Sequence, residues 1–87
     1  MRAVITVIGK DMVGILAKVS TTCAAANANI IEVTQYVLRE FFAMVMLVDL
    51  EKMNCELSEF REDLRRNAED MTIHVMHEDI FNSMHRV

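Results

Sequence analysis

The sequence has little cysteine, and its two thiols, Cys23 and Cys55, do not form a Cys-x-x-Cys pair. The missing pair argues against the metal-carrying proteins that use this motif. A disulfide between the two is the less favoured alternative, and we expect both to be reduced, small apolar residues of a cytosolic protein. Proline and tryptophan are absent, and the only two glycines, Gly9 and Gly14, both follow the first apolar run.

Clusters of lysine and arginine are also missing. Nine basic residues against thirteen acidic ones give a formal net charge of -4. Nucleic acids and anionic membranes are bound mainly through clustered positive charge, so we expect neither as a partner. The apolar runs at residues 2–9 and 41–48 are too short for a signal peptide or a membrane span, which favours a cytoplasmic location.

Catalytic constellations are missing as well: there is no Ser–His–Asp set, no Gly-rich phosphate loop and no credible pair of acids. His74 and His77 are three residues apart on a predicted strand, so their side chains leave on opposite faces. With His85 in the tail, the three histidines do not predict a metal site. We therefore expect no cofactor, no metal and no enzymatic activity.

Apolar residues, by contrast, are abundant, and they make up 53% of the 87 residues. A chain of this length forms one domain, residues 1–87, and its core is thin. Monomeric soluble proteins rarely expose large apolar patches, so we expect part of this apolar surface to meet another chain. Self-association is therefore predicted before any motif is considered.

Hydrophobic periodicity predicts the order of the elements. Asn54 is predicted to cap the second long helix, and Glu62 is expected to pair with Arg66 on its solvent face. The predicted elements are a strand at 2–8, a turn at 9–14, a helix at 15–26, strands at 30–38 and 41–50 joined by a turn at 39–40, a helix at 54–68, a strand at 71–76 and a short tail helix marked by Ile80, Phe81, Met84 and Val87.

This order predicts an α+β fold, a ferredoxin-like βαββαβ two-layer sandwich with an antiparallel sheet and an extra C-terminal helix. In this arrangement strands one and three are central, which matches the two most apolar strands of the sequence. The third strand sends large side chains both ways, with Phe42, Met44, Met46 and Val48 on one side and Ala43, Val45 and Leu47 on the other. The tail helix can shield only part of the face opposite the helices, so we expect a second protomer to cover the rest.

Two segments resemble the ACT domain family: residues 11–16, Asp-Met-Val-Gly-Ile-Leu, after the first strand, and Asn29-Ile30, which open the second strand. The resemblance is closest to small single-domain members similar to the regulator of the glycine cleavage system. It implies that an amino acid binds where two ACT domains meet, near the first turn and the start of the second strand. The ligand-binding residues that it implies are Asp11, Met12, Val13, Gly14, Asn29 and Ile30.

Physical chemistry is consistent with that location. A helix N-terminus suits a carboxylate, and Gly14, without a Cβ, lets a ligand or a partner backbone come close. Asp11 and the side-chain carbonyl of Asn29 could hold the ammonium group, although both residues could equally be simple caps. Two positions depart from the family's usual pattern: Asp11 stands where Asn is frequent, and Val13 stands where Pro is frequent. An aspartate accepts hydrogen bonds but does not donate them, so the exchange can change the ligand or remove binding.

The resulting hypothesis is a regulatory module, a homo-oligomer (a dimer or a tetramer) that binds an amino acid or a similar metabolite and modulates an enzyme or a regulator protein. The alternative is a purely structural dimerisation module without a ligand. An acylphosphatase-like enzyme is disfavoured, because the first turn offers Lys10 and Asp11, and the nearest arginine, Arg2, is at the far end of its strand. An RNA-binding sheet is disfavoured because stacking aromatics and basic flanks are lacking.

Overall fold

The computed structural model describes residues 1–10 and 12–84 and confirms the predicted βαββαβ order with a C-terminal helix. Predicted contributions of His85 and Val87 lie outside the described residues. The elements are β1 (Arg2–Gly9), α1 (Met12–Ala25), β2 (Asn29–Leu38), β3 (Phe41–Asp49), α2 (Leu57–Asn67), β4 (Thr72–His77) and α3 (Glu78–Met84).

The four strands form one antiparallel sheet in the order β2-β3-β1-β4. The two central strands are therefore the two that the sequence predicts, β1 and β3. Their alternate side chains point to the face that α1 and α2 cover, where Ile5, Met44 and Met46 are almost fully buried. The helices contribute Ile15, Val19 and Cys23 from α1 and Phe60 and Leu64 from α2 to the same core.

The start of α1 differs from the prediction, because the helix begins at Met12 rather than at Ile15. The turn after β1 is correspondingly short, and Gly14 lies in the first turn of the helix. Neither glycine has a positive φ, so neither is required by a left-handed backbone. The cue that misled the prediction is Gly14 itself, since glycine disfavours helix interiors but is tolerated in a first turn.

The end of α1 is closed by a Schellman motif, in which Asn27 takes the left-handed conformation with φ 57°. The Ala28 N–H donates to the carbonyl oxygen of Cys23 at 2.9 Å. Asn54, which we predicted to cap α2, instead donates its Nδ2–H to the carbonyl oxygen of Ala25 at 2.9 Å. That prediction was wrong because Asn54 serves the end of the first helix, while α2 begins three residues later.

The solvent face of α2 also pairs differently from the prediction. Arg65 contacts Glu62, and Arg66 contacts Asp63, so the ion pairs have i,i+3 rather than i,i+4 spacing. Arg61 is not only a surface charge, because its Nη2–H donates to the carbonyl oxygen of Val75 at 3.2 Å and so ties α2 to β4.

The face of the sheet opposite α1 and α2 is only partly covered. α3 lies on it beside β1, and Arg2 holds α3 through Glu78, with Nη2 2.7 Å from Oε2 and Nε 3.0 Å from Oε1. Ala43, Val45 and Leu47 remain half-buried. The edge strand β2 has little cover on either face, since every residue from Ile31 to Leu38 is exposed. No helix in the described part of the chain is long and apolar enough to cross a membrane.

Candidate functional site

The N-terminus of α1 is set directly against the end of β1. Gly9 makes this close approach possible: a Cβ on Gly9 would lie 2.9 Å from Cδ1 of Ile15 and 3.2 Å from Cγ of Met71. A carbon atom cannot occupy that position without moving the Ile15 or Met71 side chain. Lys10, between the strand and the helix, places its Nζ 5.6 Å from the ring centre of Phe41, within reach of a cation–π interaction.

The first half of the predicted site lies at this junction. Met12 and Gly14 are in the first turn of α1, where the helix dipole supplies partial positive charge. Gly14 is half-buried, and Val13 is 73% exposed and points away from the core. Asp11 and the Met12 side chain lie outside the described part, so their predicted contribution stays a prediction.

The second half of the predicted site lies at the start of β2. Asn29 is the first residue of the strand and is exposed, while Ile30 is half-buried against the core. Asn29 lines an open polar depression of about 560 Å³ that also contains Asp49 and Lys52. No motif in the sequence marks Asp49 as a neighbour of Asn29; the pairing follows only from the β2–β3 register.

The depression at Asn29 is held in shape by hydrogen bonds. The Asn27 Nδ2–H donates to the carbonyl oxygen of Lys52 at 2.8 Å, and the Glu51 N–H donates to Oδ1 of Asp49 at 2.9 Å. Asp49 and Glu51 bring negative charge to a site that also lies at the C-terminal end of α1. This end of the molecule therefore favours a positively charged group, whereas the N-terminus of α1 favours a negative one.

Within one chain the two halves of the site are far apart. Asn29 is opposite Asp49, and Asp49 is opposite Arg2, at the start of β1. Gly9, which precedes the first turn of α1, is at the other end of the same strand. Seven residues of strand correspond to roughly 23 Å, so no single amino acid can touch both halves in one copy.

Neither cysteine is primed for chemistry. Burial raises the pKa of the Cys23 thiol to about 11. The pKa of the Cys55 thiol is also raised, by desolvation first and then by Glu59, Asp63 and Glu56. Both sulfurs are protonated at neutral pH and are therefore poor nucleophiles and poor metal ligands. Among residues 1–10 and 12–84, no three acidic, histidine or cysteine side chains converge in a metal-binding group.

Comparison with known proteins agrees with the fold and with the resemblance noted in the sequence. The family model of the ACT domain matches residues 2–78. The UPF0237 protein MK1213 of Methanopyrus kandleri is 48% identical over 88 residues, which cover 99% of this chain and 98% of that protein. The match therefore extends over nearly the whole of both chains.

Solved structures give the same result. The ACT domain protein from Streptococcus pneumoniae superposes with a TM-score of 0.79 at 32% identity, covering 93% of each chain. A protein assigned as a glycine cleavage system transcriptional repressor shares the fold, with a TM-score of 0.72 at 24% identity over 85% of this chain and 43% of that one. From the family match, the full-length relative and these superpositions, it follows that the chain belongs to the ACT domain family.

Proposed function

We propose that this protein is a regulatory ACT module that self-associates and binds an amino acid, or a similar small metabolite, between two copies. The observation that supports the proposal most directly is the separation of the two half-sites, with the N-terminus of α1 at one end of the sheet and Asn29 at the other. The α1 dipole in one half suits the carboxylate of an amino acid and Asn29 in the other half suits its ammonium group, so one copy does not bring both to the same ligand.

Pairing of two copies through β2 would unite the halves. β2 is an edge strand, and its residues from Ile31 to Leu38 are exposed. An unpaired edge of this length is a template for a further strand. When two identical edges pair antiparallel about a twofold axis, the start of one β2 lies beside the end of the other. Asn29 of one copy then reaches the end of the sheet at which α1 of the second copy begins.

The expected chemistry at the united site is recognition of both ends of an amino acid. The positive end of the α1 dipole suits the carboxylate, and the side-chain carbonyl of Asn29 suits the ammonium group. The resemblance to the family assigns Asp11 to the ammonium group as well. Val13 and Ile30 offer apolar contact to the ligand's side chain. These residues bind and orient a ligand, and the proposed role requires no reacting group.

Regulation follows if the ligand binds the paired state more tightly than the single copy. The ligand then shifts the association equilibrium by its differential affinity, and a partner enzyme or regulator that recognises only one state responds. Because the site uses residues from two copies, its affinity is linked to protein concentration. We propose a cytoplasmic location, where such a metabolite pool is available.

A structural dimerisation module without a ligand is the second candidate. Val37 and Leu38 are each 72% exposed at the end of β2, and Phe41 is exposed beside them. Covering these side chains stabilises an oligomer whether or not an amino acid is present. The two candidates therefore predict the same association but different responses to amino acids.

Light scattering and thermal melting together test the proposal. We expect an oligomer at micromolar concentration and a rise in Tm with one or a few of the common amino acids. A ligand at 100 times its dissociation constant adds about 2.7 kcal/mol, which raises Tm by on the order of 10 °C. A 10 kDa monomer would refute the pairing. An oligomer that no amino acid stabilises would leave the structural module as the function.

Two single substitutions sharpen the assay. Asn29→Ala should abolish the amino-acid effect on Tm and leave the oligomer intact, because Asn29 is exposed and its side chain makes no hydrogen bond within residues 1–10 and 12–84. Gln35→Ala is the matched control, since Gln35 is an exposed amide residue on the same strand but away from its start. An equal loss of the ligand effect in both variants would contradict the assigned site.

A further inference from the structure

A separate small cavity lies on the face of the sheet opposite α1 and α2, between β2, β3, β1 and α3. Its volume is about 160 Å³. Val4, Val45 and Leu47 supply apolar side chains from the sheet, and Phe81 supplies an aromatic ring from α3. The register places Val4 opposite Leu47, so these two side chains form adjacent parts of one floor. The cavity corresponds to about five water molecules, which is room for a compact aliphatic group.

The rim of this cavity is negatively charged. Glu32 and Thr34 line it from β2, and Glu78 lines it from α3. The Arg2 guanidinium forms an ion pair with Glu78, with Nη2 2.7 Å from Oε2. Glu32 has no ion-pair partner within residues 1–10 and 12–84. No basic residue is among the described residues that line the cavity. An apolar floor below a single unneutralised carboxylate is complementary to a group that is apolar at one end and cationic at the other.

We propose that this cavity is a binding site for small aliphatic primary amines, with the alkyl group on Val4, Leu47 and Phe81 and the ammonium group at Glu32. Thr34 offers a hydroxyl oxygen as a second acceptor for the three N–H donors of an ammonium group. An amino acid does not fit the same chemistry, because its carboxylate would lie beside that of Glu32, and the nearby Arg2 is already paired with Glu78. The site is therefore distinct in position and in charge preference from the one proposed between two copies.

Three molecules of one shape separate the contributions of charge and of apolar contact. Isoamylamine carries the branched alkyl group with a positive charge, isoamyl alcohol carries it without charge, and isovalerate carries it with a negative charge. Binding is followed by methyl NMR on the whole protein, with the methyl groups of Val4, Val45 and Leu47 as reporters. Methyl groups of Val19 and Leu64, in the core on the other face, serve as internal controls.

We expect saturable shifts of the reporter methyls with isoamylamine, about fivefold weaker binding of the alcohol, and no saturable shifts with isovalerate. The fivefold ratio is what a solvent-exposed ion pair contributes. Raising the salt concentration from 0.05 to 0.5 M should remove most of this preference, because exposed charges are screened. Equal binding of all three molecules, or shifts spread over the control methyls, would overturn the proposal.

Glu32→Gln is the decisive variant, because it removes the charge at nearly constant shape from an exposed position. We expect it to bind isoamylamine about fivefold more weakly, at the affinity of the alcohol. Glu40→Gln, at the exposed β2–β3 turn, is the matched control and should bind as the unmodified chain does. An unchanged affinity for the amine in Glu32→Gln would refute the assigned role of this carboxylate. The readout does not depend on amino-acid binding, and its reporter methyls lie on β1 and β3 rather than on the edge strand β2.

Discussion

Replacing Gly9 with alanine tests how tightly β1 and α1 are packed at the start of the helix. The added Cβ would lie 2.9 Å from Cδ1 of Ile15, a residue with no exposed surface. Overpacking of this kind typically costs about 1–3 kcal/mol. Alanine also lowers the conformational entropy of the unfolded chain, which offsets roughly 0.4–1 kcal/mol of this cost. We therefore expect Gly9→Ala to lower the free energy of unfolding by about 1–2 kcal/mol.

Ile15→Val makes the prediction specific, because it removes the Cδ1 atom that the new Cβ would meet. Alone, this truncation should cost about 1 kcal/mol. In the double variant the conflict is largely absent, since the remaining neighbour is the flexible Met71 side chain, 3.2 Å away. The double variant should therefore be about as stable as Ile15→Val alone, with a coupling energy equal to the whole cost of Gly9→Ala, about 1–2 kcal/mol.

Urea unfolding of the four proteins measures this coupling. The protein concentration must be the same throughout, because self-association adds to the apparent stability. Losses that simply add in the double variant would show that Cδ1 of Ile15 is not the limiting contact at Gly9. A stabilised Gly9→Ala would refute the close packing altogether, since alanine would then fit the site without strain.

Three further predictions concern other parts of the fold. Asn27→Ala should destabilise the protein by about 1–2 kcal/mol in urea unfolding, whereas Asn27→Gly should cost less, because only alanine is strained at φ 57°. The stability of the chain should fall between about pH 9 and pH 11, since the unfolded Cys23 thiol ionises before the buried one, whose pKa is about 11. The comparison is between the Cys55→Ser variant and the double variant Cys23→Ala/Cys55→Ser. The double variant should lack the part of the fall that is due to Cys23, about 2–3 kcal/mol. Arg2→Gln should speed amide hydrogen exchange in α3 more than in β3, because it breaks the ion pair with Glu78; equal protection would contradict this.

Periodicity was sufficient to predict the architecture because the apolar spacing is clear where the core is formed. The spacing of Leu57, Phe60, Leu64 and Ala68 marks one side of α2, and of these four only Leu57 is not fully buried. The ends of the helices were harder to predict. Asn54 has the chemistry of an N-cap, yet its amide bonds to the preceding helix, and this depends on tertiary contacts that spacing does not encode.

The strand β2 shows a second limit of the pattern. Simple alternation would place Ile31, Val33 and Val37 on one face, but an irregularity between Ile30 and Glu32 shifts the register. Ile30, rather than Ile31, therefore packs against the core. A bulge changes the face of only the residues before it, so the alternation after Glu32 was still correct. No residue type in this stretch signals the bulge, since neither glycine nor proline is present.

The candidate site was less accessible from sequence than the fold. The residues around Gly14 and Asn29 could be named from the family resemblance, but their separation becomes evident only from the strand register. The neighbours Asp49 and Glu51 belong to no motif and approach Asn29 because β2 and β3 are paired. The cavity beneath α3 was also not predicted, because it combines residues from four elements whose relative position depends on the packed tail helix.

The strand order has a consequence for how the chain reaches its native state. β1 is synthesised first but lies in the middle of the sheet, and both of its neighbours, β3 and β4, come much later in the sequence. During translation β1 cannot pair until residues 41–49 have left the ribosome, and its second edge stays open until residues 72–77 follow. Such long-range pairing slows folding and prolongs exposure of apolar strands. We infer that nascent chains stopped before Thr72 expose the edge of β1 that pairs with β4 and are substrates for chaperones.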